Sequence, residues 1–179
     1  MGKFFKTFIL AALFSISLLN YSFGTELAKK LIELGSCPKC DLSGVDLIAA
    51  HLKRADLNGA NLSRANLSGV NFAEAKFTNA DLSNANLASA NLNEAQLGGA
   101  NLRRADLSSA SLKLAYLYRA DLSGANLSGA NFSGADLRYV NLKWANLRGA
   151  KFIETDITNA IVKKENLRVA ILCTTKTSW

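Results

Sequence analysis

Apolar and polar positions alternate with a period of five from Cys40 onward, without an insertion. At 42, 47, 52 and every fifth position to 172 stand 21 Leu, 4 Phe, 1 Ile and 1 Val, which is 27 positions. Two residues before each, from 40 to 170, there are 21 Ala, with Cys40, Val45, Val70, Val140, Thr155 and Glu165 as exceptions. The residue between the two is Asp or Asn in 19 of the 27 units, so each unit has an apolar–polar–apolar core. Ala and Leu favour helix by propensity. Geometry excludes it, because five residues advance a helix by about 140° net, and the leucines would spiral around the cylinder. An extended segment puts residues two apart on one side and the residue between them on the other. The remaining two residues of each unit are often Ser-Gly, Ser-Arg or Ser-Asn, which are turn formers. Each unit is therefore a short edge followed by a corner. Four such units can close a square coil with Ala and Leu inside.

The motif Ala-(Asp/Asn)-Leu-x-x, as in Ala55-Asp56-Leu57-Asn58-Gly59 and Ala125-Asn126-Leu127-Ser128-Gly129, resembles the pentapeptide-repeat family over residues 40–172. The resemblance implies an all-β fold, a right-handed quadrilateral β-helix. The 27 units then make about 6–7 coils, a rod of roughly 32 Å at the strand spacing of about 4.8 Å. Phe72, Phe77, Phe132 and Phe152 replace Leu inside it. Asn and Asp beside the corners are expected to bond local backbone rather than to serve as catalytic carboxylates.

The rest of the chain reads as ends. Lys3 and Lys6 precede an apolar stretch, Phe8 to Leu19, and Ser22-Phe23-Gly24 offers small residues to a signal peptidase. This is a secretory signal over 1–24, too short to span a bilayer, which needs roughly 20 apolar residues. It implies export to a periplasm, an equivalent lumen or the medium, and no membrane association after cleavage. Residues 25–39 form an N-terminal cap, with a helix over Thr25–Gly35 that Thr25 starts, Leu27, Leu31 and Leu34 face inward and Gly35 ends. Residues 173–179 are a tail. Near it the repeat decays, and Ile161, Val169, Ile171 and Trp179 form an apolar rim that reads as a cap contact or a dimer surface.

Composition narrows the chemistry. With 1 His and 3 Cys in 179 residues, the sequence leaves little material for a metal enzyme and shows no Ser-His-Asp arrangement or Gly-rich phosphate loop, so no catalytic residue, metal or cofactor is expected. His51 is a lone surface residue. Cys37-Pro38-Lys39-Cys40 admits three readings: a redox pair, a zinc half-site, or a structural pair, with Cys40 inward and Cys37 locking the cap. Cys173 is left unpaired. The net charge of +7 becomes +5 without Lys3 and Lys6. Residues 20 apart stack on one face. One corner column then collects Arg64, Arg103, Arg104, Lys143, Lys163 and Lys164 beside Trp144, and another Tyr118, Arg119, Arg138 and Tyr139.

The functional expectation is an exported, non-enzymatic scaffold or interaction module with a protein partner, and a homodimer through the C-terminal end as a candidate assembly. A binder of an anionic polymer or nucleic acid through the basic face is the alternative, although nucleic acid is the disfavoured partner. Envelope thiol redox activity is a further reading. Some proteins of the resembled family protect DNA gyrase by imitating duplex DNA. That mimicry needs an acidic rod. The basic charge, the export signal and the missing loop insertions all set this chain apart from it.

Overall fold

The computed structural model describes residues 22–177. The signal segment expected over 1–24 lies almost wholly outside them, as does Trp179.

A parallel ladder with a register of 20 organises the chain. Single bridges join Ser36 to Asp56, Asp41 to Asn61, and so on to Asn141 and Ile161. In each, the middle residue of an edge, polar in nearly every unit, is the bridging residue. Asn61, for example, donates its N–H to the Cys40 carbonyl at 2.9 Å and accepts from the Leu42 N–H at 2.7 Å. Edges this short satisfy their backbone only between coils, so no coil stands alone. At each corner the Ala N–H closes on the preceding Leu carbonyl, as from Ala65 to Leu62 at 3.1 Å. The second corner residue has φ near +60° at 39 and at every fifth position through 159. This is the third residue of a type II turn, where Gly or Asn is the comfortable choice. Arg104, Leu114, Tyr139 and Trp144 also hold it, at roughly 1 kcal/mol each relative to glycine.

The core is a column of inward Leu and Ala. From Leu57 to Phe152 every Leu or Phe of the repeat is buried. Phe132 and Phe152, one coil apart, stack at 5.2 Å between centroids, while Phe72 and Phe77 meet edge to face at 4.9 Å. Outside, two side-chain devices repeat. The Asp or Asn Oδ1 accepts the N–H two residues on, as from Ser83 to Asp81 at 2.9 Å, which braces the corner. The Asn amide then donates to the residue one coil below. In one column Asp41, Asn61, Asp81, Asn101, Asp121 and Asn141 alternate. There Asn61 reaches Asp41 at 3.0 Å, Asn101 reaches Asp81 at 2.9 Å and Asn141 reaches Asp121 at 3.0 Å. The alternation is physical: a carboxylate only accepts, so an amide is the neighbour that both satisfies it and spares it a like charge.

The ends depart from the expected boundaries. Helix α1 spans Ser22–Leu34, so Thr25 lies inside it rather than at its start. The Gly35 N–H bonds the Leu31 carbonyl at 2.8 Å, and Gly35 has φ +66°, a left-handed exit. Ala28 and Leu31 join the core, but Leu34 is 68% exposed, because the last turn leads into the exit instead of packing. The ladder starts at Ser36, one unit earlier than the repeat pattern suggested. Cys37 occupies the first Leu position and is 1% exposed, whereas Cys40 is half-buried. Both cysteines therefore face inward: Cys40 packs against the core as its Ala position implies, and Cys37 is part of the core itself rather than only a lock on the cap. The two form a disulfide with their Cα atoms 5.5 Å apart.

At the other end Thr155 and Glu165 fall on Ala positions and are treated differently. Thr155 is buried, and its hydroxyl is satisfied by the Phe132 carbonyl at 2.8 Å. Glu165 is exposed, because the chain breaks into a helical turn, α2 (Lys164–Leu167), that swings it outward while Leu167 stays buried. The single bridges pause there, and β1 (Lys151–Ile153) pairs in parallel with β2 (Ile171–Cys173) with the register of 20 intact. Leu172, on an inward position by pattern, is 45% exposed, since β2 belongs to the last coil.

Two measurements check this account. Leu107→Ala, at a fully buried mid-rod position, should lower unfolding free energy by about 2–5 kcal/mol in denaturant melts. Asn101→Asp would stack three carboxylates, Asp81, residue 101 and Asp121. Its stability should fall at neutral pH, where all are charged, and recover as they protonate below about pH 4, whereas Asn101→Ala should show no such recovery.

Candidate functional site

The repeat satisfies itself nearly everywhere, so chemistry must sit where the pattern breaks. One face breaks most. Its bridging column runs Asp56, Lys76, Gln96, Tyr116, Asp136, Asp156 and Lys176, with no asparagine ladder. Its following corner holds Gly98-Gly99, Tyr118-Arg119 and Arg138-Tyr139 in successive coils.

These residues form one cluster. Tyr118 and Tyr139 meet edge to face at 5.5 Å, and Tyr116 stacks near-parallel on Tyr118 at 6.1 Å. The Arg119 guanidinium lies 5.1 Å from the Tyr118 centroid and 6.0 Å from that of Tyr139, and Arg138 lies 5.6 Å from Tyr118. Such cation–π contacts hold the side chains together without neutralising them. Arg138 also makes a forked pair with Asp136, Nε to Oδ1 at 2.9 Å and Nη2 to Oδ2 at 2.7 Å. Its hydrogen bonds hold the Asp136 carboxyl below the usual carboxylate range, and Asp136 raises Arg138 in return. The Tyr116 ring rests on the bare Gly98 backbone, where a Cβ would lie 3.0 Å from its Cε1. Tyr116 and Gly98 were not singled out from the sequence. The signal was there, because Tyr116 sits on a bridging position two residues before Tyr118.

The basic column is less concerted. Arg64, Arg103, Arg104, Lys143 and Lys163 are exposed on one corner line. Arg103 Nη1 pairs with Asp121 at 3.5 Å. The Arg104 stem lies against Gly124, with its Cγ 3.4 Å from where a Cβ would be. Trp144, on the same line, is 77% exposed. A depression of about 420 Å³ lies beside it, lined by Lys143, Trp144, Ile161, Val162, Lys163 and Asn166. Of the apolar rim, Ile161, Val169 and Ile171 are each about half exposed, so no cap covers them among the described residues, and Leu172 joins them. Cys173 is exposed and free. His51 is exposed. Among the described residues no group of three or more His, Cys, Asp or Glu is placed to hold a metal ion, and no helix is long and apolar enough to cross a membrane.

Comparison with known proteins follows the ladder. The family description "Pentapeptide repeats" matches in 8 copies over residues 40–79, 80–117 and 115–152. No match was found among curated proteins. Similar solved structures include the pentapeptide repeat protein Rfr23 of the cyanobacterium Cyanothece 51142, at 33% identity over 78% of this chain and 99% of that one, TM-score 0.44. HetL of Nostoc sp. strain PCC 7120, involved in heterocyst differentiation regulation, is 26% identical over 79% of this chain and 84% of its own, TM-score 0.32. A pentapeptide repeat protein of the Arabidopsis thaliana thylakoid lumen is 29% identical over 76% and 77%, TM-score 0.21. Proteins of this kind are right-handed quadrilateral β-helices and generally serve as structural or interaction modules rather than enzymes. With its repeats matched over more than half its length, this chain belongs to the pentapeptide-repeat family.

Proposed function

We propose that this protein is a non-enzymatic interaction scaffold, exported by its N-terminal segment, that presents a tyrosine–arginine patch to a protein partner. In this reading the rod has about 6–7 coils, and α1 covers the first of them. One observation carries the reading. Tyr116, Tyr118, Arg119, Arg138 and Tyr139 replace the self-satisfying ladder on a single face and are gathered by mutual contacts. Tyrosine supplies large contact area with only two torsions to freeze, and arginine a planar fork of donors that also stacks on rings, which is why both are enriched among residues that concentrate binding energy at interfaces. Arg138 is already paired with Asp136, and Tyr139 is exposed, which suits a protein surface better than a small substrate.

The anionic-polymer reading has weaker support, since Arg103 and Arg138 are each engaged by an internal carboxylate. Thiol redox activity also has weak support, because Cys37, the first Leu position of the ladder, is buried away from an attacking thiolate.

A photo-crosslinking residue at position 139 should capture one discrete protein in living cells. The same residue at Ser89, exposed on another corner line, should not, and Tyr118→Ala should abolish the product. Identical patterns from both positions would count against the patch. Replacing Cys37 and Cys40 together by Ser should lower stability by about 2 kcal/mol, the effect of releasing a very short loop. Thiol–disulfide exchange on a model disulfide substrate should be absent before and after the change.

A further inference from the structure

The charge of this protein is unevenly placed along the rod. From residue 25 to 142 there are 12 Lys and Arg against 11 Asp and Glu, near balance. From 143 to 177 there are 7 against 3. Most of the basic excess of the chain beyond the export segment therefore sits at one end. The register of 20 distributes it around that end. Lys143 and Lys163 share one corner line, Arg148 and Arg168 the next, and Lys151 and Lys176 lie on two further faces.

The same end is where large apolar side chains are exposed together. Trp144, Ile161, Val169, Ile171 and Leu172 all lie in the last two coils. Isolated exposed apolar residues need no explanation, but a cluster at a solenoid's end does. End coils usually carry a polar outer cover, because a bare coil exposes unpaired backbone and core residues. Here β2 is the last paired strand among the described residues, and no helix lies over it.

We propose that, against the expectation of no membrane association after cleavage, the C-terminal end of the rod docks on an anionic lipid bilayer. The apolar cluster would enter the headgroup region, with Trp144 at the interface and the ring of Lys and Arg on the lipid phosphates. Charge complementarity selects this occupant. A second copy placed end to end would bring two basic rings together, whereas an anionic surface attracts every one of them. Indole at the headgroup level and basic side chains flanking apolar ones are the physical signature of interfacial binding. The wall between Trp144 and Lys163 leaves a depression open to such headgroups. The inference does not depend on the tyrosine–arginine patch, which lies on another corner line. If both hold, the rod stands on a membrane and displays the patch from its side.

The test is flotation of the full chain with vesicles of phosphatidylcholine, with and without phosphatidylglycerol. Comparing variants cancels whatever the N-terminal segment contributes. Lys143→Gln, Lys163→Gln and Arg168→Gln together should weaken binding to the phosphatidylglycerol vesicles by roughly a hundredfold, about fivefold per charge. Arg64→Gln, Arg103→Gln and Arg104→Gln remove the same charge from the same side of the rod further from the end, and should change it little. In a Trp179→Phe background, Trp144 emission should shift to the blue on adding the acidic vesicles and be quenched by brominated lipid. Unchanged melting temperatures would show that the variants fold. Equal losses from both triple variants, binding indifferent to phosphatidylglycerol, or an unquenched Trp144 would each overturn the proposal. So would a concentration-dependent dimer, seen by sedimentation, that Ile171→Glu dissolves without altering vesicle binding.

Discussion

The register of 20 is the constraint on which everything else depends. Edges of three residues cannot satisfy their own backbone, so each must lie over the edge one coil below, in parallel and in step. Once that holds, every side chain has the same kind of neighbour above and below, at the strand spacing of about 4.8 Å. Leucine stacks on leucine, alanine on alanine, and the interior fills without any long-range instruction. The same rule punishes repetition outside. Identical carboxylates would repel at that distance, and the column from Asp41 to Asn141 answers by alternating acid and amide. Where two acids do follow each other, at Asp136 and Asp156, Arg138 is drawn in against the first.

This constraint explains how much was legible in the sequence. A period that fixes both backbone and neighbours can be read directly, so the edges, corners, core residues and stacking columns follow from counting. The ends were harder, because they are where the period stops being enforced. Nothing in Gly35-Ser36-Cys37 resembles Ala-Asn-Leu, yet the backbone there already runs in register and buries Cys37. At the other end the pattern alone cannot say how a polar residue on an inward position is resolved. Thr155 is kept inside by a hydroxyl with a carbonyl to bond, while Glu165 is expelled through a helical turn. The candidate site was half legible. Tyr118, Arg119, Arg138 and Tyr139 share a column and could be grouped. Tyr116 belongs to the next column, and its ring leans across the corner onto Gly98, a choice of rotamer rather than of register.

A division of labour follows. Ladder positions hold the rod together and are almost fully occupied with doing so. Positions that abandon the ladder are free to contact something else. Several of these, including Arg119, Tyr139 and Trp144, also sit at φ near +60°, where glycine or asparagine is the easier residue. Large side chains at strained corners, without a role in the core, are difficult to explain as architecture.

That division can be tested on the protein alone. The measurement is thermal unfolding of a variant in which Tyr116→Asn, Tyr118→Ser, Arg119→Gly and Tyr139→Gly restore the repeat while Arg138 keeps its pair with Asp136. If the cluster exists for contact, the melting temperature should stay the same or rise, because an amide at position 116 can brace its own corner and two left-handed corners are relieved. A clear fall in melting temperature would mean that the tyrosines hold the coils together, and the account of the patch as a binding surface would be wrong.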